Sequence, residues 1–187
     1  MPLLLLILAA SPAVGASAQA PRHFEPPARG AVQLGVDLGH TRFAVSGIRP
    51  DGTRFSMFLG AHLTPRVAWT FDITCLGGTP VGALEDQGFT ICTGSLGGQL
   101  EVGVTSHVRP YLRAGLGQSQ LDWQAELDVF DIDERGGATT AALGTRVTLG
   151  RTGRYALRAE IAWMRDDVLG VGATHRSIAL GIAYRMR

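Results

Sequence analysis

The sequence predicts an all-β chain: eight antiparallel strands in an up-and-down transmembrane barrel of the outer membrane. Three observations predict it. Eight stretches alternate apolar with polar or small residues at the period of two that belongs to strands. The connections between them alternate long, short, long, short, long, short, long, as in barrels with short periplasmic turns and longer outer loops. Past the first ten residues no apolar run is long enough for a transmembrane helix, although 45% of the 187 residues are apolar and only 18% are charged.

Leu3 to Ala10 form a short apolar core followed by Ser11-Pro12 and small residues. This predicts an export signal over 1–18, cleaved after Ala16-Ser17-Ala18, with Ala18-Gln19-Ala20 as the second choice. Residues 19–30 hold prolines at 21, 26 and 27 and read as an irregular periplasmic lead-in, leaving 31–187 for the barrel.

Val32, Leu34, Val36 and Leu38 face one way, and Gln33, Gly35, Asp37 and Gly39 the other. After a polar stretch at 40–54, Phe55, Met57, Leu59 and Ala61 resume the alternation up to a tight turn at 62–66. Val67, Trp69, Phe71 and Ile73 follow, opposite Ala68, Thr70 and Asp72. The Gly-rich segment 74–97 reads as a long loop, after which Leu100, Val102 and Val104 lead to a turn at 106–110. Leu112, Ala114 and Leu116 oppose Arg113, Gly115 and Gly117; 118–137 is long and acidic. Ala141, Leu143, Thr145, Val147 and Leu149 run to a tight turn at 150–153.

Tyr155 to Trp163 is the clearest strand. Tyr155, Leu157, Ala159, Ile161 and Trp163 share one face, and Arg158 and Glu160 the other. It rises about 26 Å, enough at a tilt of roughly 40° to cover most of a thin hydrocarbon layer. A loop at 164–175 precedes the last strand, with Ile178, Leu180, Ile182 and Tyr184 outward. Trp69, Phe71, Tyr155, Trp163 and Tyr184 are expected to form the interfacial aromatic girdle.

Turning the apolar faces outward places Asp37, Asp72, Glu101 and Glu160 in the lumen with Arg113, Arg146, Arg158 and Arg185. Eight strands enclose only enough room for side chains. Unpaired charges there would cost several kcal/mol each. A packed, near-neutral polar plug is therefore expected in preference to a conducting path. In an exported chain Cys75 and Cys92 are expected to form a disulfide, stapling one long outer loop away from the wall.

The net charge of +1 gives no electrostatic case for nucleic acid. No cofactor or metal is expected. His40 and His175 fall at the outer ends of neighbouring strands, but two histidines without a third ligand are an incomplete site. The segment carrying Asp122, Glu126, Asp128, Asp131, Asp133 and Glu134 lacks the glycine and ligand spacing of an EF-hand and reads as a solvated loop.

Strand number, loop asymmetry, the export signal and Gly-rich strands such as Leu112-Arg113-Ala114-Gly115-Leu116-Gly117 resemble the small eight-stranded outer-membrane barrels of the OmpA/OmpX type, over about residues 31–186. The resemblance implies insertion by the barrel assembly machinery and contact with outer-membrane lipid and lipopolysaccharide. It also implies a non-enzymatic structural or surface-interaction role through extracellular loops, with no ligand specified. Members usually end in an aromatic residue; Tyr184, three positions before Arg187, is expected to take that place.

His175-Arg176-Ser177 resembles the His-x-Ser pair of the outer-membrane lipid A deacylases, which implies an alternative with Ser177 as nucleophile and His175 as base. No acid follows Ser177, and Glu160 is the substitute on the neighbouring strand, so a plain loop-to-strand junction is expected instead. A further alternative, a soluble lipocalin-like ligand-binding barrel, would turn every apolar residue inward.

Overall fold

Seven of the eight period-two stretches lie within strands, and each strand pairs antiparallel with the next; the stretch expected at 100–104 is different, since its strand ends at Glu101 and lies mostly before it, and the next strand starts at Val108, inside the turn expected at 106–110. In the computed structural model the strands are β1 (Val32–Ala44), β2 (Asp51–His62), β3 (Val67–Gly78), β4 (Phe89–Glu101), β5 (Val108–Trp123), β6 (Ile132–Leu149), β7 (Tyr155–Asp166) and β8 (Ala173–Met186). β8 returns to β1, so the sheet closes and has no free edge. The structure describes residues 27–44, 51–78, 89–103, 107–123, 132–150, 153–168 and 172–186. The expected export signal and most of the lead-in lie outside them.

The two faces of the wall settle which way the strands point. Leu38, Leu96, Leu116 and Leu180 are 62–70% exposed on the outside, whereas Asp37, Glu101, Arg158 and Glu160 are at most 4% exposed within. This is the reverse of a lipocalin-like barrel. An apolar outer wall around a charged lumen is stable only where the wall meets hydrocarbon rather than water.

The strands run further than the apolar alternation. β1 continues through His40 to Ala44, and β2 begins at Asp51, inside the expected loop 40–54. β3 runs to Gly78 and β4 starts at Phe89, within the expected loop 74–97. β5 and β6, of 16 and 18 residues, remain paired as far as Trp123 and Ile132. The reason is physical: outward apolar residues are needed only where lipid touches the wall, but backbone N–H and C=O groups need partners beyond it. The outer connections therefore shrink to 45–50, 79–88, 124–131 and 167–172, against 63–66, 102–107 and 150–154 at the other end. The asymmetry of the molecule lies more in projecting strands than in loop length.

The cysteines correct the expected loop staple. Cys75 and Cys92 are direct cross-strand partners on β3 and β4, disulfide-bonded with Cα atoms 4.1 Å apart. They belong to the wall itself, one outward position beyond Ile73.

At the periplasmic end the turns are tight. Thr64 Oγ1 accepts from the backbone N–H of Arg66 and Val67, and Gly150 and Gly153 take positive φ of 66° and 62°. The end of the lead-in is tied down where Gly30 N–H donates to the His62 carbonyl at 2.7 Å.

Candidate functional site

The lumen is the candidate site, and its side chains fall into three storeys. Small residues make the space: a Cβ on Gly144 would lie 2.3 Å from the Tyr111 hydroxyl oxygen, and one on Gly181 would lie 1.9 Å from Asp37 Oδ1. Bulky polar residues on neighbouring strands fill the room so left.

Glu160 of β7 is the centre of the middle storey. Its Oε1 accepts from Arg54 Nη2 and Arg113 Nη2, both at 2.8 Å. Its Oε2 accepts from Arg113 Nη2, Arg158 Nη2 and the Tyr111 hydroxyl, each at 2.9 Å. Arg113 also binds Asp72, and Arg158 Nη1 lies 3.5 Å from Asp37 Oδ2. The Arg158 guanidinium stacks 3.7 Å above the Phe58 ring. Three cations thus meet three carboxylates, and the storey is neutral.

Toward the periplasm, Arg146 binds Gln33 and donates to Glu101 Oε2 at 2.5 Å, while Gln99 donates to Glu101 Oε1 at 2.8 Å. Arg109 is buried here, and Arg185 is half-buried at the mouth.

The outer storey departs from a wholly polar plug. Phe43, Leu76, Ile91, Leu121, Met164 and Val168 form a buried apolar cluster, with Phe89 packed edge-on to Phe43 at 4.9 Å between centroids. His175 lies against Phe43, its Nε2 2.5 Å from Asp166 Oδ2. Between this stopper and the Glu160 cluster is a cavity of about 30 Å³ lined in part by Arg54, Asp72, Ser95, His175 and Ser177. That is room for a water or so.

The eight charges expected inside all belong to inward positions: Asp37, Asp72, Arg113, Arg158 and Glu160 in the middle, Glu101, Arg146 and Arg185 below. Arg54, Arg109 and Tyr111 complete the network and were hidden in stretches that look like loop and turn. Parity is the signal that finds them. Arg54 is two residues from inward Ser56, and Arg109 and Tyr111 are four and two residues from Arg113. The stopper leaves the same trace at Phe43, Leu76 and Leu121.

His175 and Ser177 face the lumen, away from lipid, and are 1% and 8% exposed. Ser177 Oγ accepts from Arg54 Nη1 at 3.1 Å, and Glu160 is engaged by its arginines rather than by His175. His40 faces outward beside Asp51 while His175 faces inward, so the two histidines do not share a site. Among the described residues no group of three His, Cys, Asp or Glu side chains is placed to hold a metal. Trp69, Phe71, Tyr155 and Trp163 are exposed on the outer wall. Phe71 lies mid-run on β3, and Tyr155 pairs with Tyr184 at 5.1 Å between rings. Asp122 is exposed; Glu126, Asp128 and Asp131 lie outside the described residues, as do the side chains of Asp133 and Glu134.

A closed eight-stranded wall, apolar outside and packed with charge inside, defines a small integral outer-membrane barrel. The chain matches the outer membrane protein beta-barrel domain over residues 6–185 and belongs to that family. Its place is the bacterial outer membrane. Among solved structures it is similar to Neisserial surface protein A, at 15% identity and a TM-score of 0.72, covering 84% of this chain and 99% of that one. It is similar to Ail, the attachment invasion locus protein of Yersinia pestis, at 12% identity and a TM-score of 0.59, over 85% and 100% of the two chains. OprG of Pseudomonas aeruginosa aligns at 13% identity and a TM-score of 0.54, over 84% and 96%. At these identities the likeness is one of fold. No curated protein matches by sequence.

Proposed function

We propose that the protein is a non-enzymatic, non-conducting surface barrel that works through what its projecting strands and outer connections present outside the cell. The observation that carries this is the filled lumen: a neutral cluster around Glu160 beneath an apolar stopper around Phe43. Neither storey offers a water-lined route, and the chemistry-bearing pair His175 and Ser177 is turned away from lipid. Two of the similar folds carry the names of a surface protein and an attachment protein, which supports the same role here.

The outer wall also supports lipopolysaccharide as a partner. Arg42 and Arg176 are direct cross-strand partners on β1 and β8, both exposed, and Arg165 sits diagonally from Arg176 through Thr174. Like charges opposed on a sheet are unfavourable without an anion beside them; Asp51 Oδ1 already accepts from Arg42 Nε at 3.0 Å, which leaves Arg176 and Arg165 as the cations offered to a lipid anion. Immediately below, Leu38 and Leu180 form the next fully apolar pair. Guanidinium groups above exposed leucines suit a lipid with phosphates on its headgroup.

The test pairs two measurements on one protein. Reconstituted in planar bilayers, it should give no single-channel steps. Cells displaying it should attach to host-cell monolayers, and replacing 124–131 by a Gly/Ser linker of equal length should abolish attachment while the barrel still assembles. Regular conductance steps, or attachment indifferent to every outer connection, would overturn the proposal.

A further inference from the structure

The outer wall carries its bulk unevenly. One cross-strand row of outward positions runs through Trp69 on β3, Gly98 on β4, Ala114 on β5, Ala141 on β6 and Trp163 on β7. Leu100, Leu112 and Leu143 form the neighbouring row on the periplasmic side, and Leu96 and Leu116 rise on the other. Here the wall holds a groove of about 560 Å³, lined from Val67 on β3 to Trp163 on β7. Packing within the barrel does not call for its low floor. A Cβ on Gly98 would meet nothing nearer among the described residues than the Ala68 carbonyl oxygen, at 3.9 Å. Glycine weakens a strand, and inside one it marks a place where a ligand or another backbone comes close.

The groove has a direction. Trp163 lies three residues from the outer end of β7, and Trp69 two residues from the periplasmic end of β3. Four strand spacings of about 4.8 Å make the row about 19 Å long. With strands tilted by roughly 40°, it descends about 12 Å, most of the roughly 15 Å of hydrocarbon in one leaflet. A zigzag of about 16 carbon atoms joined by bonds of about 1.5 Å has the same length. Cations stand at its upper end. Arg176 is the cross-strand partner of Trp163, and Arg165 follows Trp163 by two residues on the same face, all three exposed.

In hydrocarbon no hydrophobic drive favours one apolar surface over another, so selectivity comes from van der Waals fit and from anchoring of the headgroup. A groove fixed by the sheet supplies the fit, and guanidinium groups suit a phosphate anchor. On the reading of Arg165 and Arg176 as contacts for lipopolysaccharide phosphate, we propose that the groove holds one acyl chain of that same lipid molecule. The chain enters beside Trp163 and runs down across Ala141 and Ala114 to Gly98, and Trp69 closes the far end.

The test offers the mature chain, folded in neutral detergent, an equimolar mixture of lipopolysaccharide and phosphatidylglycerol, and measures the lipid retained after repurification by mass spectrometry. Folding is checked by the gel shift between unboiled and boiled samples. Lipopolysaccharide should be retained over phosphatidylglycerol. The groove-filling pair Ala114→Leu and Ala141→Leu, which places on the outer wall a residue already common there, should lower that retention about fivefold. Gly98→Val, at a position with open room, is a second obstruction and should lower it too. Ala159→Leu, outward on β7 but outside the groove, should change nothing. Deacylated lipopolysaccharide, which keeps the phosphates, should bind wild type and filled variant alike. Retention unchanged in both obstructed variants but lost in Arg165→Gln with Arg176→Gln would overturn the groove and leave the arginine contact standing. No preference of the folded wild type for lipopolysaccharide would overturn both.

Discussion

At the scale of single residues, Glu160 carries more than any other side chain in the lumen. Arg54, Arg113, Arg158 and Tyr111 all donate to its two oxygens. Glu160→Leu removes the acceptor and leaves three buried cations facing two carboxylates. The expected loss is about 3–5 kcal/mol, as for breaking other buried ion pairs from one side. Leu157→Val on the same strand faces lipid and should cost less than about 1.5 kcal/mol. Urea unfolding in lipid vesicles compares the two, and equal costs would mean that the strand had been turned inside out. The alternation at 155–163 made both faces of this residue set legible from the sequence. That three arginines converge on one carboxylate was not legible, because convergence across a lumen depends on strand tilt and on which neighbours are small.

At the scale of elements, the strands fit by exchanging bulk. β6 passes β5 with Gly144 opposite Tyr111, whose hydroxyl is fixed by Glu160 and Arg158. A methyl group there meets a ring that cannot swing aside without breaking those bonds. Gly144→Ala should therefore cost about 1–3 kcal/mol, the range for overpacking a filled interior, whereas Gly137→Ala, with open space around it, should be close to neutral. The midpoint of the heat-induced gel shift reads the difference. Strand cores were plain in the sequence wherever lipid imposed apolar alternation, as at Val32 to Leu38. Their outer ends were not. His40, Arg42, Thr53 and Thr90 look like loop residues because water solvates them, yet each holds a place in the ladder. The stopper was lost with them, since Phe43, Leu76, Ile91 and Leu121 lie on those polar ends.

At the scale of the whole molecule, charge is sorted along the barrel axis: arginines dominate the periplasmic rim, a neutral cluster fills the middle, and an arginine group marks the lipid-facing wall at the outer end of β7 and β8. If that outer group holds lipopolysaccharide, the double substitution Arg165→Gln and Arg176→Gln should sharply lower the amount copurifying with the barrel, measured by mass spectrometry. Assembly, read from the gel shift, should survive, and undiminished lipid would remove that partner. The wall-borne disulfide acts on a different stage of the molecule's life. A slip of one residue between β3 and β4 would leave Cys75 outward and turn Cys92 inward, so the bond admits one register only. Thiols oxidised in the periplasm, before the chain meets the membrane, would deliver that hairpin already aligned. On that order of events the bond would act as a jig for biogenesis as well as a brace for the finished protein.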